Sequence, residues 1–157
     1  HEEVYEGSAP HGIAILVETA TDNPTRTVAN VRMHFNKNGG SLGTSGSVSF
    51  MFNHLGEFKI KNENLDTEEL ELELIDFGLE EIGEDSEGNI IIRTPFNEFG
   101  NMNKALDEKK IEVITAELTR IPTTTVELSE EDANEVLKLV DNLEQDDDVQ
   151  KVYHNLK

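Results

Sequence analysis

The chain has 157 residues, a length that suits one ordinary domain or two small ones. Hydrophobic residues make up 36% and charged residues 29%, enough apolar material for a core, and the absence of cysteine excludes disulfides, thiolate zinc sites and thiol nucleophiles. No apolar run approaches the roughly 18–20 residues that span a bilayer and no signal segment opens the chain, so a soluble, cytoplasmic protein is expected.

The formal net charge is −20, opposite to the basic footprint of a stand-alone nucleic-acid binder. It is unevenly spread. Residues 1–54 carry −2, residues 55–121 carry −11 and residues 122–157 carry −7. A well-solvated acidic surface accounts for this, and so does repulsion of nucleic acid from every face but one. The chain opens His1-Glu2-Glu3-Val4 without an initiating Met, which suggests a fragment.

In chain order, residues 11–19 form an apolar run of strand length (Ile13, Ala14, Ile15, Leu16, Val17). Asp22-Asn23-Pro24 supplies a cap and a first-turn proline, Val28, Val31 and Phe35 recur at helical spacing, and Gly39-Gly40 stops the helix. Arg26, Asn30, His34 and Lys37 line its other side. Residues 47–54 alternate (Val48, Phe50, Phe52) and predict a second strand.

The acidic middle begins with a predicted strand over 57–61. Asp66-Thr67-Glu68-Glu69 then caps a helix carrying Leu70, Leu74 and Phe77, with Gly78 as its stop, although Leu70–Leu74 also alternates like a strand. Strands over 80–84 and 89–93 flank the turn Asp85-Ser86-Glu87-Gly88. A helix from Thr94-Pro95 carries Phe96, Phe99, Met102 and Leu106, and a strand over 111–120 closes the segment.

In the tail, residues 124–128 predict a short strand. Ser129 caps a helix with the stripe Ala133, Val136, Leu137, Val140 and Leu143, and a strand over 149–153 follows the Asp146–Asp148 turn. The expected class is α+β: two ferredoxin-like β-α-β-β-α-β units, one (1–54 plus 122–157) interrupted by an acidic second (55–121).

Little points to catalysis. The five histidines (His1, His11, His34, His54, His154) show no metal-ligand spacing and no carboxylate completes a set, so neither metal nor cofactor is expected. The glycine-serine stretch 39–47 follows a helix and lacks the Gly-Lys-Ser/Thr ending of a phosphate loop. Ser45 lacks a nucleophile elbow, and the acidic turns lack calcium-loop spacing. From the residues alone, a non-enzymatic α+β binding module is expected.

Val4-Tyr5-Glu6-Gly7, Thr21-Asp22-Asn23, Arg26-Thr27-Val28 and Val31-Arg32 lead into a denser pattern, Phe35-Asn36-Lys37-Asn38-Gly39-Gly40-Ser41-Leu42-Gly43 and Gly46–Phe52. With Ile121-Pro122, Thr125–Leu128 and Asp148–Asn155, this resembles the YebC family, which includes the mitochondrial translational activator of cytochrome oxidase. The likeness covers the second and third domains of that family, and its basic, helical N-terminal domain is absent from this sequence. The family's Tyr-Gly-Pro-Gly-Gly is here Ser8-Ala9-Pro10-His11-Gly12, and Phe50 stands where Trp is common.

The resemblance implies a non-catalytic regulator of gene expression, first a DNA-binding transcriptional regulator and second a ribosome-associated translation factor. More remote is an acidic protein-interaction module. Implied partners are DNA or ribosomal RNA, with no membrane, and a monomer is expected. Arg26, Arg32 and Lys37 are all the Lys/Arg of residues 1–54, and with the donors of Asn38, Gly39, Gly40 and Ser41 they form the candidate nucleic-acid contact. Without a basic domain, the chain by itself is expected to bind nucleic acid poorly.

Overall fold

The structure is a computed structural model that describes residues 1–157. In chain order its elements are β1 (Glu2–Ser8), β2 (Ala14–Ala20), α1 (Pro24–Lys37), β3 (Ser41–Leu42), β4 (Phe52–Ile60), α2 (Thr67–Leu74), β5 (Glu81–Glu84), β6 (Ile90–Pro95), α3 (Phe99–Glu108), β7 (Val113–Pro122), α4 (Glu130–Glu144) and β8 (Val149–His154). They divide into two compact units, His1–Asn53 with Pro122–Lys157, and His54–Ile121. Each holds a four-stranded sheet, so the class is α+β. No helix is long and apolar enough to cross a membrane.

In the first unit the sheet order is β3-β1-β2-β8, with antiparallel pairing throughout. The apolar run 13–17 explains itself here, because β2 is central and buried on both faces. Ile13, Ile15 and Val17 pack against Val31 and Phe35 of α1 and Val136, Leu139, Val140 and Leu143 of α4. Ala14 and Leu16 face the other way, onto Val48 and Phe52. The ends of this unit's two segments meet, because the Thr123 amide donates to the Met51 carbonyl at 2.9 Å.

Several expectations for this unit are corrected. It runs β-β-α-β and then α-β, not β-α-β-β-α-β. Its first strand, β1, pairs with β2 along its whole length although Glu2, Glu3 and Glu6 obscure any apolar alternation. The strand expected over 47–54 forms only at residues 52–54, as the start of β4. Residues 49–51 make a single 3-10 turn, and β4 starts at Phe52 and absorbs the strand expected over 57–61. The reason is Glu6, whose carboxylate accepts the amides of Gly46 (2.6 Å), Val48 (3.0 Å) and Ser49 (2.7 Å), donors that a sheet would need. The strand expected over 124–128 shrinks to one bridge, Val126 to Leu156. On α4 the buried face is Val136, Leu139, Val140 and Leu143, while Leu137 is exposed.

The second unit runs β-α-β-β-α-β with sheet order β5-β6-β4-β7. Phe58 and Ile60 pair with Ile92 and Ile90, so the four side chains share one face. Leu70 and Leu74 of α2 and Met102, Ala105 and Leu106 of α3 cover that face. Asp66 caps α2 by accepting the amides of Glu68 and Glu69, and Gly78 leaves the next turn left-handed at φ 91°. The helix expected from Thr94-Pro95 begins as a 3-10 turn at Phe96 and becomes α-helical at Phe99. The other face is polar: Arg93 Nε donates to Glu57 at 2.9 Å and its Nη1 donates to Glu81 at 3.2 Å.

Candidate nucleic-acid interface

α1 begins where Asn23 Oδ1 accepts the Arg26 amide, and Pro24 enters with its φ already helical. Its basic side chains meet different fates. Arg26 is bound within the fold: Nη2 donates to Asp148 Oδ1 at 2.9 Å and Nε to Asp148 Oδ2 at 3.2 Å. Asp22 adds a contact at 3.3 Å. The hydrogen bonds from Arg26 and Thr27 hold the Asp148 carboxyl below its ordinary range, although its partial burial works the other way.

The same side of α1 faces the Asp146–Asp148 turn across a groove of about 590 Å³ that Arg26, Asn30, Met33 and His34 line. His34 Nε2 bonds Asp146 Oδ2 at 3.0 Å. This groove is acidic and unsuited to phosphate.

The glycine loop is also less available than its composition suggests. The amides of Asn38 and Gly40 donate to the Phe35 carbonyl at 3.2 and 2.8 Å, and that of Gly39 points to Asn36 at 3.5 Å. Gly39 takes φ 77°, so the loop closes the helix as a left-handed cap. Asn38 donates from Nδ2 to the His34 carbonyl at 2.9 Å and accepts from Asn142 at 3.1 Å. Ser41 pairs with Ser8 in the sheet and keeps an exposed side chain.

Arg32 and Lys37 are exposed and form no ion pair. Lys37 lines a second groove, of about 410 Å³, with Pro10, His11, Asn38, Glu135 and Lys138. Lys138, from α4, also lacks an ion-pair partner. The sequence gives no sign of this pairing, because 101 residues separate the two lysines.

The histidines are engaged locally. His54 stacks on Phe96 with ring centroids 4.4 Å apart. His154 Nδ1 accepts the Leu156 amide at 3.2 Å, and burial lowers the pKa of its ring. His11 meets Asp132 and Glu135, a convergence that no histidine spacing announces. It adopts φ 66° in the Pro10-His11-Gly12 turn, a left-handed conformation that suits glycine best.

An α+β protein of two acidic units, with Lys37 of α1 and Lys138 of α4 sharing a groove on the first, is thus defined. A family profile described as "TACO1/YebC second and third domain" matches residues 1–156. The chain belongs to this family. A "Probable transcriptional regulatory protein" of Myxococcus xanthus is 57% identical over 157 residues, covering 98% of this chain and 65% of that protein. One from Flavobacterium johnsoniae is 53% identical over 156 residues, covering 99% of this chain and 65% of that protein. The crystal structure of a conserved hypothetical protein from Aquifex aeolicus matches with a TM-score of 0.78 and 37% identity, covering 100% of this chain and 65% of that one. The chain therefore spans about 65% of the length of these relatives.

Proposed function

We propose that this chain is the two-unit part of a non-catalytic regulator of gene expression that contacts nucleic-acid phosphates through Lys37, Lys138 and Arg32. The observation that carries this reading is the shared groove of Lys37 and Lys138, two cations without acidic partners on a chain of charge −20. Phosphate contacts come from such side chains, and neutralising phosphates drives sequence-independent affinity. Of the residues first considered, Arg26 is assigned a structural role, Asn38, Gly39 and Gly40 shape the helix end, and Ser41 supplies a hydroxyl beside it. We further read residues 54–121 as a ferredoxin-like unit, on the strength of their element and strand order. The regulatory names of the relatives support the first choice, a DNA-binding transcriptional regulator.

A ribosome-associated role is the second reading, and Phe50 favours it. This ring is 71% exposed on the loop that Glu6 holds, and unstacked RNA bases use such rings as platforms. The experiment compares Lys37→Glu/Lys138→Glu with the parent chain for retention on duplex DNA and on ribosomal RNA at low ionic strength. Loss of both is expected, and retention of both overturns the proposal. Phe50→Ala is expected to weaken RNA retention alone if the second reading holds.

A further inference from the structure

We propose that His11, Asp132 and Glu135 form a site for a divalent transition-metal ion. Two segments far apart in sequence supply it. His11 stands in the turn between β1 and β2, which the Ala9 amide closes by donating to the Ile13 carbonyl at 2.8 Å. Asp132 and Glu135 stand three residues apart near the start of α4, on one side of the helix. The turn and α4 pack together, bringing the three side chains to one point.

One donor atom from each residue lies within 4.8 Å of the other two. His11 Nε2 is 3.4 Å from Asp132 Oδ1 and in direct contact with Glu135 Oε2. Donors bound to one tetrahedral ion at about 2.0–2.1 Å stand about 3.3–3.4 Å apart, so the His11–Asp132 edge already has the required length. The Glu135 side chain is 57% exposed and free to draw back by one rotamer to admit the ion.

The donor set selects the class of ion. Ca²⁺ takes about six to eight oxygens and Mg²⁺ an octahedron of oxygens, whereas an imidazole with carboxylates suits Zn²⁺ and its neighbours. With His11 neutral the set carries two negative charges, which such an ion offsets. Glu130 and Glu131 add negative charge on the same helix turn, and Lys37 and Lys138 border the groove with positive charge. All three ligands are solvent-accessible, so water completes the coordination shell and exchange is reversible. His11 and Glu135 line the groove of Lys37 and Lys138, but the metal site does not rest on any contact of that groove with nucleic acid.

The test is calorimetric titration of ZnCl₂ into metal-stripped chain carrying His1→Ala and His34→Gln, because His1 with Glu3 and His34 with Asp146 are further imidazole–carboxylate pairs. One ion per chain is expected. His11→Gly and Glu135→Gln should each weaken binding by about tenfold or more. Glycine suits the left-handed backbone at position 11, so His11→Gly should melt no lower than its parent without metal. CaCl₂ should give no comparable binding. No Zn²⁺ binding, Zn²⁺ binding untouched by His11→Gly, or equal affinity for Ca²⁺ would each overturn the site.

Discussion

Arg26 and Asp148, 122 residues apart, meet through two parallel hydrogen bonds of 2.9 and 3.2 Å. The pair ties the start of α1 to the turn before β8, and Thr27 Oγ1 donates to the same carboxylate at 2.8 Å. A bidentate guanidinium–carboxylate contact fixes geometry as well as charge. The pair thereby engages the guanidinium of a helix-face arginine within the fold.

Asp148→Asn should lower the melting temperature at neutral pH by several degrees, and Arg26→Ala should do the same. Because Asp148 has a depressed pKa when folded, its contribution is full above the ordinary aspartate range. It fades as the pH falls through the lower folded value. Melting curves from neutral to strongly acidic pH should therefore show parent and Asp148→Asn converging on the acid side. Curves that stay parallel would contradict this assignment.

Glu6→Gln tests the loop before β4. Burial opposes the Glu6 charge, but the backbone donors from Gly46, Val48 and Ser49 outweigh it and hold the pKa below the ordinary glutamate value. The amide variant presents an NH₂ group to donors that need an acceptor. A loss of about 2 kcal/mol is expected, from the worth of hydrogen bonds to a buried charge. Hydrogen exchange should accelerate over residues 44–50 and little elsewhere. An unchanged exchange pattern would show that the carboxylate does not hold the loop.

Gly7→Ala should destabilise the first unit. A Cβ at position 7 would lie 2.7 Å from Phe35 Cε1 and 2.7 Å from the Ser41 carbonyl oxygen, and the second of these is backbone. Overpacking of this kind costs about 1–3 kcal/mol. Chemical denaturation gives the number, and a variant as stable as the parent would mean that β1 and β3 shift freely.

On α4, Leu137→Lys and Leu139→Ala should differ sharply. Leu137 is 41% exposed and Leu139 is fully buried against β2 and α1. The first change should be nearly neutral, and the second should cost about 2–5 kcal/mol. Equal losses in denaturant titrations would reverse the assignment of the buried face.

What the sequence makes legible is local. The cap of α1 at Asn23, the Ser129 cap of α4 and the turn in which Asp85 Oδ1 accepts the amides of Glu87 and Asn89 all rest on residues within four positions of one another. β1 was hidden because its stability comes from pairing with β2, not from its own pattern of acids. The strand expected over 47–54 fails at residues 47–51 because the amides there and just before answer to Glu6, 40 residues or more upstream. The groove of Lys37 and Lys138 and the meeting of His11 with α4 depend on helix packing across more than 100 residues, and no local spacing encodes that.

The hydrogen bond between Met51 and Thr123 has a consequence for engineering and for descent. It holds the two points where the chain leaves and re-enters the first unit within one bond of each other, the arrangement that tolerates insertion of a whole domain. A gene encoding His1–Asn53 joined through a few glycines to Pro122–Lys157 should then yield a folded miniature, with Leu16 still sealed beneath Val48 and Phe52. Its charge would be −9 in place of −20, since the net −11 of residues 54–121 leaves with the excised cassette.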